Sequence, residues 1–74
     1  VKVYGEQIRD EQISAALAAM VGEFRCSDIE NALVRAGVRE PGAVAMRAAD
    51  RLLQRERKAG RIRAVNNRLW ERIA

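Results

Sequence analysis

The stretch from Gln54 to Trp70 reads QRERKAGRIRAVNNRLW, and its period changes partway. Up to Ala59 the residues continue a helical spacing; after Gly60, charged and apolar residues alternate. Gly60 stands where a helix ends in a left-handed cap, which glycine adopts without a Cβ penalty. Arg61-Ile62-Arg63-Ala64-Val65, then Asn66-Asn67, then Arg68-Leu69-Trp70-Glu71-Arg72-Ile73 reads as a β-hairpin. Asparagine tolerates positive φ better than other residues with a side chain, so the pair suits a tight turn. A strict two-residue turn sets Ile62 opposite Glu71 and Arg63 opposite Trp70, a poor match. A loop one residue longer, or a bulge, bringing Ile62 opposite Trp70 is the expected register.

Upstream of Gly60 the spacing predicts a helix over about residues 41–59. Val44, Ala45, Ala48, Ala49, Leu52 and Leu53 share one side of it. Arg47, Arg51, Gln54 and Lys58 share the other, with Asp50 flanking. Pro41 suits the first helical position, where its missing N–H costs nothing, and Val38 to Gly42 forms the preceding turn. Before that turn, Ser27-Asp28-Ile29-Glu30 has the form of a capping box, with Ser27 as N-cap and Glu30 reaching back. Ile29, Ala32, Leu33 and Ala36 follow as a narrow apolar stripe that Gly37 closes. A first helix begins at Asp10, places Ile13, Ala16, Leu17, Met20 and Val21 on one buried stripe, and ends at Gly22. Between these two helices, Glu23 to Cys26 is long enough for one short strand.

Residues 1–9 read as an N-terminal arm. Val1 and Val3 alternate as a strand end does, Gly5 interrupts, and fraying is the other reading. Residues 10–74 form one domain. The fold class is mainly α with a small β-hairpin, in the order helix, short strand, helix, turn, helix, strand, strand. Its expected core joins Ile13, Leu17, Met20, Phe24, Ile29, Leu33, Leu52, Leu53, Ile62 and Trp70.

Seventy-four residues suffice for one domain and not for two. With 32% charged and 49% hydrophobic residues the chain has the composition of a folded domain. It has no apolar run of membrane-spanning length and no start of signal-peptide type. Its single cysteine, Cys26, excludes an internal disulfide and fits a reducing compartment, so a cytoplasmic location is expected. The net charge of +4 is unevenly spread. Residues 1–40 carry five basic against seven acidic side chains, whereas residues 41–74 carry nine basic against three acidic. A GC-rich coding bias accounts for Arg over Lys, but not for arginines crowded into one half. Such an asymmetry suggests a face for a polyanion.

The element order, together with Leu52-Leu53, Ala59-Gly60-Arg61-Ile62 and Asn66-Asn67-Arg68-Leu69-Trp70, resembles the winged helix-turn-helix family over residues 10–73. The turn from Gly37 to Pro41 is longer than in the simplest helix-turn-helix proteins. The resemblance implies a third helix that enters a DNA major groove, and a hairpin wing along the backbone or an adjacent groove.

On that helix Arg47, Arg51, Gln54 and Lys58 are the candidate contacts, because Arg and Gln can make two-pronged contacts with G and A edges. Arg47 and Arg51, nearer the N-terminus, suit base edges, and Lys58 suits phosphate. On the wing the candidates are Arg61, Arg63, Asn66, Asn67, Arg68 and Arg72. Edge strands use charge against aggregation, which accounts for one or two of these arginines. Arg68, at the tip, is the first choice for phosphate, whereas the asparagines serve mainly as turn. Trp70 is expected to anchor the hairpin to the core rather than stack on a base.

An enzyme is not expected: the chain has no histidine, no phosphate-cradling glycine loop and no serine in a catalytic motif. No metal, cofactor or small-molecule ligand is implied, since Cys26 has no His or second Cys beside it. The expected function is sequence-specific binding of double-stranded DNA by a bacterial or phage transcriptional regulator. A homodimer or a larger assembly is compatible with that reading. The alternative is a protein-interaction winged helix, docking through Val38, Met46 and Val65.

Overall fold

The computed structural model describes residues 2–3, 6–38 and 44–73. The expected start of the third helix at Pro41, and the turn before it, lie outside the described residues apart from Val38. The three helices are α1 (Asp10–Ala18), α2 (Cys26–Arg35) and α3 (Val44–Lys58). The strands are β1 (Lys2–Val3), β2 (Glu6–Gln7), β3 (Glu23–Phe24), β4 (Ile62–Ala64) and β5 (Trp70–Arg72). From α1 onward the order is helix, strand, helix, helix, strand, strand, as expected from the sequence. The N-terminal segment adds a short antiparallel ladder, Lys2 facing Gln7 and Val3 facing Glu6, with β1 lying beside α3. Directly after it Ile8 enters the core, 1% exposed.

Helix α1 starts with Asp10 and Glu11, whose charges complement the helix dipole. The Arg9 N–H donates to Gln12 Oε1 (2.9 Å), while Gln12 Nε2 donates to the Ala36 carbonyl at the far end of α2 (3.3 Å). One buried amide thus closes the start of one helix on the end of the next. The C-terminus of α1 corrects the expected boundary. The Ala19 and Met20 N–H groups bond back to Ala16 and Leu17, tightening the last turn, and the helix ends at Ala18 rather than Gly22. Met20 stays buried, but Val21 leaves the stripe and is 65% exposed.

Helix α2 corrects the expected cap. The acceptor at its start is Asp28 Oδ2, which takes the Arg25 N–H at 2.8 Å, so Arg25 is the N-cap residue and Ser27 lies inside the first turn, exposed. Asp28 outcompetes Glu30 because it stands three residues after the cap, within reach of that N–H. The other end is as expected. Gly37 takes φ +100° and the Val38 N–H reaches the Leu33 carbonyl (2.9 Å), closing the helix.

Val44, Ala45, Ala48, Ala49, Leu52 and Leu53 are all buried on α3, and α3 packs against α2, which packs against α1. Of the ten expected core residues, Met20, Phe24, Ile29, Leu33, Leu52, Leu53 and Ile62 belong to one buried cluster together with Ile8, Val38 and Val44, whereas Ile13, Leu17 and Trp70 are partly buried and pack against it. The sheet has the order β3-β5-β4, with β5 antiparallel to both neighbours. The register also needs correction: Ile62 faces Arg72, Arg63 faces Glu71 and Ala64 faces Trp70. The loop is one residue longer than a two-residue turn, but this shifts Ile62 away from Trp70. The tryptophan faces Phe24 across β3 instead.

Candidate nucleic-acid interface

Two elements present the basic residues, and their chemical settings differ. On α3, Arg47, Arg51 and Lys58 are exposed, with Asp50 exposed beside them. Gln54 is half-buried, and its Oε1 lies 3.4 Å from Arg57 Nη1. The four candidate residues of the helix therefore share the face opposite the buried stripe.

The hairpin of β4 and β5 turns at Asn66. Its Oδ1 accepts the N–H groups of Arg68 (2.9 Å) and Leu69 (3.0 Å), replacing backbone bonds that a tighter turn would make. The Val65 N–H donates to the Leu69 carbonyl at 2.8 Å, so Asn66, Asn67 and Arg68 form the tip. Asn67 and Arg68 are exposed there. Asn66 is a turn former whose side-chain oxygen is already engaged.

The remaining arginines of the hairpin have carboxylate neighbours. Arg61 Nε and Nη2 donate to Glu56 Oε1 and Oε2 at 2.8 and 2.9 Å, the two-pronged geometry that makes such pairs strong. Arg63 binds Glu71, its cross-strand partner, with Nη2 3.1 Å from Oε2. That pair is exposed and contributes little to stability. Arg72 is half-buried and its charge also acts on Glu56.

Glu56, beside these arginines, is not among the residues that the sequence pattern singled out. It is 2% exposed, at the C-terminal end of the buried stripe of α3. The signal was present: Glu56 follows Leu52 by four residues and Leu53 by three, so helical spacing puts it on the core side. The hydrogen bonds from Arg61 hold its carboxyl below the usual carboxylate range. Burial opposes them, and the charges of Arg61, Arg55 and Arg72 reinforce them. Arg55 Nε lies 3.7 Å from Oε2. The Arg61 guanidinium is stabilised in its charged form in return.

Trp70 is half-buried and packs on the core, as expected for an anchor. Burial, then the charges of Asp50 and Glu30, push the Cys26 thiol up, so it stays protonated at neutral pH. Among the described residues no cluster of three or more His, Cys, Asp or Glu side chains could hold a metal ion. None of the described helices is long and apolar enough to cross a membrane. Of the apolar patch considered for protein docking, Met46 and Val65 are exposed. Val38 is not: at 5% exposure it belongs to the core, held by its N–H bond to Leu33. Compared with protein-family models, curated proteins and solved structures, the chain matches none.

Proposed function

We propose that this chain is a sequence-specific double-stranded-DNA-binding module of winged-helix type, acting without catalysis in a bacterial or phage transcriptional regulator in the cytoplasm. In this reading α3 lies in the major groove, with Arg47 and Arg51 toward base edges and Lys58 toward phosphate. Gln54 lies between them, and Arg68 and Asn67 at the wing tip meet the backbone.

What carries the reading is how charge is disposed in the basic half. Glu56 and Glu71 are already taken by Arg61 and Arg63. Arg47, Lys58 and Arg68 project from exposed positions without an ion pair among the described residues. Uncompensated cations on a helix, followed by one on the loop of the next hairpin, suit a ligand with regularly spaced negative charge. Arg61 and Arg72 then belong to the base of the wing rather than to its contact surface.

The test is duplex binding by fluorescence anisotropy across a salt series. Each neutralised phosphate contributes a log–log slope of about −0.9, so three or four contacts should give about −3. Binding that is absent at low salt, or insensitive to salt, would overturn the proposal in favour of protein interaction.

A further inference from the structure

Glu56 and Arg61 are joined twice. The Arg61 N–H donates to the Glu56 carbonyl (3.1 Å), and the Arg61 guanidinium donates to both oxygens of the Glu56 carboxylate. Only Ala59 and Gly60 separate α3 from Arg61, and Gly60 takes φ +77° with nothing near the position of a Cβ. The Gly60 N–H closes on the Arg57 carbonyl (3.0 Å), so with the Arg61 N–H bond the cap turns the chain out of the helix, and the Glu56 carboxylate adds a side-chain hold one residue beyond that turn. Beyond it, the Ile73 N–H donates to the Arg61 carbonyl (2.9 Å) and the Arg72 N–H to the Gly22 carbonyl (2.9 Å). Arg61 is therefore held by α3 through its N–H and its guanidinium, and by the end of β5 through its carbonyl.

We propose that Glu56 is a positioning residue: through Arg61 it sets the direction in which the β4–β5 hairpin leaves α3, and with it the place of Arg68 relative to Arg47 and Arg51. The consequence for DNA rests on the binding function proposed above; the geometric claim does not. A buried carboxylate is a costly way to fill a core position, and hydrophobic replacements of such pairs are often as stable. Leucine at this position would pack, but it would leave Arg61 without a two-pronged acceptor and the hinge without a clasp. The interaction also uses up a cation that would otherwise add to the basic surface. Glu56 thus withholds Arg61 from phosphate while it orients Arg68.

The experiment measures amide residual dipolar couplings in the free protein for Glu56→Gln and for Arg61→Lys, which keeps the charge but loses the fork. In the parent protein, couplings from α3 and from Arg63–Arg72 should fit one rigid orientation. In either folded variant the helices should still fit together while the hairpin couplings shrink or demand another orientation. If Glu56→Gln fails to fold, Arg61→Lys decides. Hairpin couplings unchanged in the folded variants would overturn the proposal. On duplexes, Glu56→Gln should lose about tenfold or more in discrimination between a selected and a scrambled site. Freed Arg61 should also steepen its salt slope by about 0.9. Unchanged discrimination together with displaced couplings would overturn the link to specificity. If the parent protein binds no duplex, the DNA reading fails while the couplings still judge Glu56.

Discussion

Glu56 places a carboxylate on a helix face otherwise made of valine, alanine and leucine, and the arginines at the wing base offset the cost. The sign of its pH dependence follows from its lowered pKa. The stabilisation is present above the unfolded value, about 4.3, and is lost as pH falls through the folded value. Denaturant melts of the parent and Glu56→Gln should differ most at neutral pH, by about 1–3 kcal/mol, discounted because Arg61 is half exposed. The gap should begin to shrink as pH falls below the unfolded value and close only below the lowered folded one; a gap independent of pH would show that the charge contributes nothing. A second residue-scale expectation concerns the α2 cap. Asp28→Ala should cost about 1 kcal/mol through loss of its bond to Arg25, while Ser27→Ala should stay within about 0.5 kcal/mol. Thermal melts that reverse this order would return the cap to Ser27. The sequence offered two acidic residues near this start, and a one-residue difference in reach separated them. Glu56 was legible too, but helical spacing alone cannot say that a carboxylate on the core side has arginines waiting for it.

The helices that pack most fully were the most readable elements. In α2 and α3 the apolar stripe and the burial agree at every expected position but Ala36, with Glu56 the one buried residue outside the stripe of α3, because local spacing and the tertiary core demand the same face. Leu33, fully buried in α2, should cost about 2–5 kcal/mol when replaced by alanine. An unchanged melting temperature would remove α2 from the core. The end of α1 was less legible, since Met20 and Val21 are both apolar and only the tightened last turn separates a buried side chain from an exposed one. Sheet register was the least legible. It depends on Asn66 hydrogen-bonding its own turn and on β3, more than forty residues before the hairpin tip, pairing with β5. Neither is a local pattern.

At the scale of the whole molecule, the proposed function predicts a division of labour between helix and wing. Arg51→Ala should weaken binding to a preferred duplex by about 1–3 kcal/mol and to random DNA much less. Arg68→Ala should weaken both alike and reduce the salt slope by about 1. Titrating each variant against selected and scrambled duplexes checks both expectations, and equal losses throughout would leave a basic surface without selectivity. The candidate surface was legible as a charge excess, but the sequence did not reveal that carboxylates engage Arg61 and Arg63. The strand order carries a further consequence for how the protein is made. β5 lies in the middle of the sheet but follows both of its neighbours in the chain. While the ribosome is still adding residues, β3 and β4 have no ladder to join, and Phe24 and Ile62 lack their partners on β5, Trp70 and Arg72. Helices can pair early, whereas sheet closure waits for Trp70 to Arg72 to emerge from the tunnel. A nascent chain halted before Trp70 should therefore expose its helical layer to proteases and chaperones, and one carried past Arg72 should close.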